Sequence, residues 1–450
     1  MKKTVLCLGL RVDQHSTFLR VLSRRFRILY FKHTVATHLE LDDARYVEDF
    51  LEEETVSLDM GHVCMEMVNL YANLSSRIAG VMPDLDITNL MDDYQEIMKE
   101  TQNVMAYESI FLELLTKVKV DLVVTNADYD MNQRPIVILA KERGIPTFNI
   151  EHGYFAHSPY PSAIHEEHFS PPNFASDYLN FDNEMERSYF SQYKSMVPSW
   201  ENKEILALGT PLDKSIVGEI PKDEAAELLG LNPDIPTVAV VPTWMASRLP
   251  GFIQSKMFEV EFYRSTFKTI AAKQKSQQIQ VIVKAHPAFS DPKVYPGWLA
   301  GITRLAKQAG LTDFLVIRDK LKAVLSFSHF FISNHFTSVS WDAFLLGKPT
   351  LVWLSPIVRA AYKTEELCHS NEMFEKEALI YVEDAEDMDE KFADLLVPER
   401  LHEISTNLQA LKAKHRLVVD SAQTKSQRIC EFLGQLLKGG ERTKEQMSAA

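Results

Sequence analysis

Residues 281–292 read VIVKAHPAFSDP. An apolar, β-branched run, Val281-Ile282-Val283, ends in Lys284, and His286 and Pro287 follow after a single alanine. A residue before proline is held extended rather than helical, so the backbone aims the His286 side chain. Imidazole beside an ammonium suits a phosphate oxygen: it donates a hydrogen bond and carries charge as negative charge develops. A histidine that merely caps a neighbouring carbonyl is the simpler reading of the same residues.

A second constellation follows in residues 333–349, SNHFTSVSWDAFLLGKP. Ser333, Asn334, Thr337, Ser338 and Ser340 gather where a helix should begin. One such residue is enough for a helix cap. Five of them around the free amides of a helix N-terminus describe a phosphate cradle. Asp342, one turn in, is spaced to accept from ribose hydroxyls. Other apolar runs also end in polar side chains. Glu151 and His152 follow Thr147–Ile150, Thr243 follows Val238–Val241, and Asp128, Asp130 and Arg134 follow Leu122–Thr125.

These residues need elements to hold them. Short apolar runs recur at Thr4–Leu10, Ile28–Phe31, Leu122–Thr125, Thr147–Ile150, Tyr178–Phe181 and Ile205–Leu208. A second series covers Val238–Val241, Val281–Val283, Phe314–Ile317, Phe330–Ile332, Thr350–Trp353 and Ile380–Tyr381. Helical patterns lie between most of them: Thr17–Arg25, a long acidic stretch within Val47–Lys117, Asn132–Arg143, Phe258–Lys273, Trp298–Ala309, Ser338–Leu346 and Leu401–Leu437. Near-continuously apolar strands separated by helices predict parallel sheets covered on both faces. The series is interrupted by the acidic, proline-bearing stretch around Ile216–Pro236. The expected division is an N-terminal Rossmann-like acceptor domain over 1–217 and a linker over 218–236. A C-terminal nucleotide-donor domain over 237–400, a helical region over 401–437 crossing back to the first domain, and a frayed tail over 438–450 follow. Ligands of such sheets sit beyond the carboxyl ends of the strands, so two facing domains would enclose a cleft.

The 450 residues carry a net charge of −14, which argues against a nucleic-acid partner. The four cysteines, Cys7, Cys64, Cys368 and Cys430, are scattered and fit reduced thiols in a cytoplasmic protein. The opening MKKTVLCLGLRVDQ reads as a first buried strand, since Arg11 and Asp13 end its apolar run too early for a signal peptide. No window is long and apolar enough for a membrane span. Arg20, Arg24, Arg25 and Arg27, interleaved with Phe18, Leu19, Leu22 and Phe26, form a basic run in an acidic chain. It fits peripheral contact with an anionic membrane at the inner face, or a plain surface helix. Two spacings hint at metal, but Asp128 with Asp130 lies in the wrong half for a donor phosphate and His165 with His168 has no strong second ligand pair, so no metal is expected.

The order K-x-H-P, then S-N-x-x-T-S-V-S-x-D-A-x-x-L-G-K-P, resembles the C-terminal domain of GT-B glycosyltransferases. It is similar in particular to the branch of CDP-glycerol glycerophosphotransferases, capsule-type Kdo transferases and histidine-proline sialyltransferases. NIEHGY, DYLNFD and EILALGTPLDK, earlier in the chain, match that branch's order of elements. The resemblance implies an α/β fold of two Rossmann-like domains facing across a cleft. It puts His286, with Lys284 and Pro287, and the segment of Asn334, Thr337, Ser338, Ser340 and Asp342 on the donor. Gly209, Thr210 and Thr243 would lie beside them. His152 becomes the leading catalytic candidate, with Glu151 and Asp13 as alternatives, and His15, Asp128, Asp130 and Arg134 face the acceptor. The chain departs from the wider pattern in three ways. LGLRVDQHS after the first strand holds a single glycine, Asp342 stands where many relatives have glutamate, and no Asp/Glu-Asp-Gly motif is present. The implied activity is metal-independent sugar transfer from a nucleotide-activated donor, a CMP-sugar favoured, to a glycan or lipid-linked acceptor in bacterial surface polysaccharide synthesis. The nucleotide-activated donor is a substrate and no cofactor is implied. Transfer of glycerol phosphate from CDP-glycerol, a sugar-nucleotide epimerase and a non-catalytic scaffold are the alternatives.

Overall fold

A computed structural model describes residues 2–10, 12–31, 41, 43–50, 105, 107–126, 128, 133–150, 174–191, 194, 200–213, 220–242, 252–285, 297–334, 338–353, 378–414, 417 and 420–448. They fall into two compact units. The first takes the described residues up to 150, those from 174 to 213, and the helix Ala422–Ser448; the second takes 220 to 414 with the few residues after it.

The first unit is built on a seven-stranded sheet ordered β3-β2-β1-β4-β5-β6-β7. Its strands are β1 Thr4–Leu8, β2 Arg27–Tyr30, β3 Ala44–Tyr46, β4 Leu122–Thr125, β5 Thr147–Ile150, β6 Tyr178–Asn180 and β7 Glu204–Leu206. All neighbours run parallel. Alternate residues feed two cores, one on each face. Val5, Cys7, Ile28, Val124 and Phe148 meet Phe18, Leu19 and Leu22 of the helix Val12–Arg25 and Ile429, Cys430 and Leu433 of the C-terminal helix. Leu6, Leu8, Leu29 and Val123 meet Phe111 and Leu114 of the helix 107–117 and Ile136, Val137 and Ala140 of the helix Arg134–Glu142.

The second unit carries a six-stranded parallel sheet ordered β10-β9-β8-β11-β12-β13. Its strands are β8 Thr237–Val240, β9 Gln280–Lys284, β10 Phe314–Ile317, β11 Phe330–Ser333, β12 Thr350–Trp353 and β13 Ile380–Val382. β8, β9, β11 and β12 are buried along their whole length. Chain order reverses between β8 and β11 here, and between β1 and β4 in the first unit.

All twelve expected strands are present, with ends shifted by a residue or two; β3 is additional. The organisation around them differs in three places. The acidic stretch expected as a linker contains the helix Lys222–Leu229, whose Ala225, Ala226 and Leu229 are buried. It ends on Gly230 at φ 67°, and Asn232 then exchanges hydrogen bonds with the Gln280 side chain at 2.9 and 2.7 Å. The expected helix 401–437 is two helices. Pro398–Lys414 stays with the second unit, Lys412 Nζ donating to the Leu345 carbonyl at 2.9 Å, and only Ala422–Ser448 crosses back to the first. The tail expected to fray is helical to Ser448.

Candidate functional site

In open α/β sheets the ligand position lies beyond the strand ends at the point of order reversal. In the second unit that point joins the ends of β8 and β11. The Val241 amide donates to the Ile332 carbonyl at 2.8 Å, and Ser333 Oγ donates to the Val241 carbonyl at 3.0 Å. Both strands therefore end in register, fastened by a serine. Ser333 and Asn334 are fully buried at this edge. The helix Ser338–Leu345 starts just beyond, with Ser340 buried and Asp342 half-buried on its first turns. Trp341, Phe344 and Leu345 bury the inner side of this helix, and Trp341 and Phe344 pack ring to ring at 5.2 Å.

The segment closes through Gly347 at φ 70°, where a Cβ would stand 2.1 Å from Gln409 Nε2. Lys348 follows, its Nζ donating to the carbonyls of Leu325, Ser326 and Ser328 at 2.6, 2.6 and 2.8 Å. It satisfies the C-terminal carbonyls of the helix Leu321–Phe327, which no intrahelical donor reaches. Nearby His329 accepts from the Thr237 amide at 3.0 Å through Nδ1. Burial, with Lys222 and Lys348 adding positive charge, pulls its pKa down to about 4, so it stays neutral.

Lys284 ends β9, the strand beside β8. Its Nζ donates to the Ala285 carbonyl at 2.8 Å and to the Arg318 carbonyl at 2.6 Å. His286, Pro287, Thr337 and Thr243 lie outside the described residues, as do Glu151, His152 and Asp130, and so do the side chains of Asp13 and Ser338.

At the reversal point of the first unit, Gly9 at φ 67° leaves β1, and a Cβ there would stand 2.2 Å from Asn126 Oδ1. Asn126 accepts from Gln133 Nε2 at 3.1 Å, and Thr125 Oγ1 donates to Gln133 Oε1. Arg134, half-buried, opens the next helix. Asp128 is fully enclosed. Its Oδ2 accepts from the Ser176 amide at 2.6 Å, and the Ser176 carbonyl accepts from Lys203 Nζ at 2.8 Å. Burial raises the Asp128 pKa and lowers that of Lys203 to about 8. The backbone of one residue, Ser176, thus bridges a buried acid and a buried base, a structural assignment for a residue expected to face an acceptor.

His15 is likewise fully enclosed, and its backbone (φ −129°, ψ 20°) breaks the helix Val12–Arg25. The regular helix resumes at Ser16 with Asp213 as its cap: Asp213 accepts from the Ser16 hydroxyl at 2.5 Å and the Thr17 amide at 3.0 Å. Gly209 turns at φ 95° against Lys425, and Thr210 donates its amide to Asp182 at 2.8 Å. Lys425 Nζ meets the same Asp182 oxygen at 2.5 Å. Of the basic run, Arg25 donates to the Cys430 carbonyl at 3.1 Å and Arg27 stands 3.6 Å from Asp43; Arg20 and Arg24 are exposed. No helix among the described residues is long and apolar enough to cross a membrane. Sequence reasoning singled out neither Asp213 nor the Asp182–Lys425 pair, and their partners are too distant in the chain to leave a local signal.

No protein-family model matches the sequence, and no curated sequence is significantly similar. Solved structures are similar in fold. A UDP-GlcNAc 2-epimerase from Neisseria meningitidis bound to UDP-GlcNAc aligns over 96% of this chain and 99% of its own, at 14% identity and a TM-score of 0.51. A UDP-glucosyltransferase from Polygonum tinctorium aligns over 97% and 99%, at 12% identity and 0.52. The wall teichoic acid polymerase TagF, as a histidine-to-alanine variant, aligns over 97% and 90%, at 14% identity and 0.52. The fold is therefore GT-B, two Rossmann-like α/β sheets in one chain.

Proposed function

We propose that the chain is a metal-independent glycosyltransferase that takes a sugar from a nucleotide-activated donor and passes it to a glycan or lipid-linked acceptor. One observation carries the reading: the polar segment Ser333–Asn334 and the start of the helix Ser338–Leu345 sit where β8 and β11 reverse order, the ligand position of this architecture. In this reading the helix N-terminus and His286 meet the donor phosphates, and Asp342 the ribose. The imidazole and the helix amides supply the positive potential that a metal would otherwise provide. His152 is the leading base, with Glu151 and Asp13 behind it. Asp128 and His15 are enclosed in the fold, which leaves Arg134 and Asp130 as acceptor-side candidates. The motif resemblance favours a cytidine nucleotide and bacterial surface polysaccharide synthesis at the inner membrane face, with the exposed Arg20 and Arg24 of the basic run toward lipid.

Two related chemistries would use the same donor pocket. The motif resemblance also fits glycerol-phosphate transfer from CDP-glycerol, and the likeness to a UDP-GlcNAc 2-epimerase supports inversion of a sugar still attached to its nucleotide. Incubation with CMP-, CDP- and UDP-linked donors in EDTA separates them. Acceptor-dependent release of free nucleotide from a sugar donor is expected. Release only from CDP-glycerol, or a changed sugar with the nucleotide retained, would replace the reading with one of its rivals.

A further inference from the structure

A lysine at a strand end serves either a ligand or the fold, and the surroundings of Lys284 decide between them. Lys284 is 7% exposed. Its ammonium bridges the carbonyl of Ala285, just past β9, and that of Arg318, just past β10. The Ala285 amide donates to the Ile317 carbonyl at 2.8 Å. The β9–β10 ladder thus runs one residue beyond the strand, and the ammonium locks its last rung. To reach an anion, Lys284 would have to give up the buried Ala285 carbonyl and the part-buried Arg318 carbonyl, a penalty that works against the move. Lys348 does the same at the other half of the site, holding the carbonyls of Leu325, Ser326 and Ser328.

The Ala285 carbonyl and the His286 nitrogen belong to one planar peptide group. Fixing that carbonyl fixes the plane from which His286 departs, and Pro287 restricts His286 from the other side. We infer that Lys284 is a positioning residue for His286 and not a contact to the donor. It holds the Ala285 carbonyl, and with it the peptide plane from which His286 departs, beside the Arg318 carbonyl. The inference rests on the proposed role of His286 in donor binding.

Two measurements test it. The first titrates CMP, CDP, UDP and GDP into wild type, Lys284→Met, Lys284→Gln, His286→Ala and the double variant Lys284→Met/His286→Ala, following the tightest of the four. Lys284→Met should weaken binding about tenfold and Lys284→Gln, which keeps donors without charge, only about threefold. Lys284→Met should add less than about twofold to the loss from His286→Ala, since residues acting through one another are not additive. Equal losses for Met and Gln, adding fully to that of His286→Ala, would mean direct charge contact and overturn the inference.

The second is amide hydrogen exchange of the unliganded protein. In Lys284→Met the Ala285 amide should exchange at least about tenfold faster, while Val281 and Val283 within β9 keep their protection. Unchanged exchange at Ala285 overturns the positioning role whatever binds. If no nucleotide binds wild type, or His286→Ala binds normally, the donor reading itself fails, and the exchange result still decides whether Lys284 holds this peptide.

Discussion

Asp213 caps a helical stretch that resumes 197 residues before it, at Ser16: its carboxylate accepts the Thr17 amide at 3.0 Å and the Ser16 hydroxyl at 2.5 Å. The helix lies after β1, where an open α/β sheet offers amides to an anion. Here the chain fills that place with its own carboxylate. The first unit therefore uses this helix start for structure, and the proposed function rests on the helix start at Ser338 in the second unit.

Removing the cap should cost stability. Asp213→Ala is expected to destabilise the protein by about 1–2 kcal/mol, and Asp213→Asn by less, because an amide oxygen still accepts. Urea denaturation followed by circular dichroism measures both. Equal, negligible losses would mean the helix does not depend on Asp213.

The Gly209 turn and the C-terminal helix are coupled. Lys425 is 7% exposed, pairs with Asp182 and packs on Gly209, where a Cβ would lie 2.7 Å from Lys425 Cγ. Lys425→Met takes the ammonium from a part-buried Asp182 carboxylate that keeps the Thr210 amide, and should cost about 1–3 kcal/mol. Gly209→Ala must both accept a positive φ and displace Lys425, so it should cost about 1–3 kcal/mol. Limited proteolysis should then cut first near residues 422–438. Cleavage elsewhere, with this helix still protected, would argue against the coupling.

His329 makes stability depend on pH. Its pKa is about 4 in the fold against an ordinary 6.5, so the unfolded chain binds more protons between those values. The contribution is complete above pH 6.5 and is lost as the pH falls through 4. The shift corresponds to at most about 3 kcal/mol. His329→Asn, which keeps an acceptor for the Thr237 amide, should flatten the stability profile between pH 4 and 6.5. A variant as acid-sensitive as wild type would show that other groups carry the dependence.

Much of the fold was legible because buried parallel strands write themselves as apolar runs. VIVK, FFIS and LVVT need no context to be read. β3 was missed because ARY, half-exposed at the sheet edge, has no apolar run to mark it. The stretch 218–236 has a linker's composition, yet Ala225, Ala226 and Leu229 give it a buried face. Lys284 at the end of a strand reads as a cation awaiting an anion; its Nζ donates to two backbone carbonyls, acceptors with no signature in the sequence. Asp128 reads in the sequence as an acceptor-side carboxylate, and the Ser176 amide that holds it in the fold is remote in the chain.

The central claim is the donor site, and nucleotide calorimetry in EDTA tests it most directly. CMP, CDP, UDP and GDP would each be titrated into wild type and His286→Ala. The account predicts that one of them binds without metal and that His286→Ala weakens it by about tenfold or more, the loss of a charge-assisted contact to phosphate. Binding of none of the four, or binding only after a divalent metal is added, would contradict it.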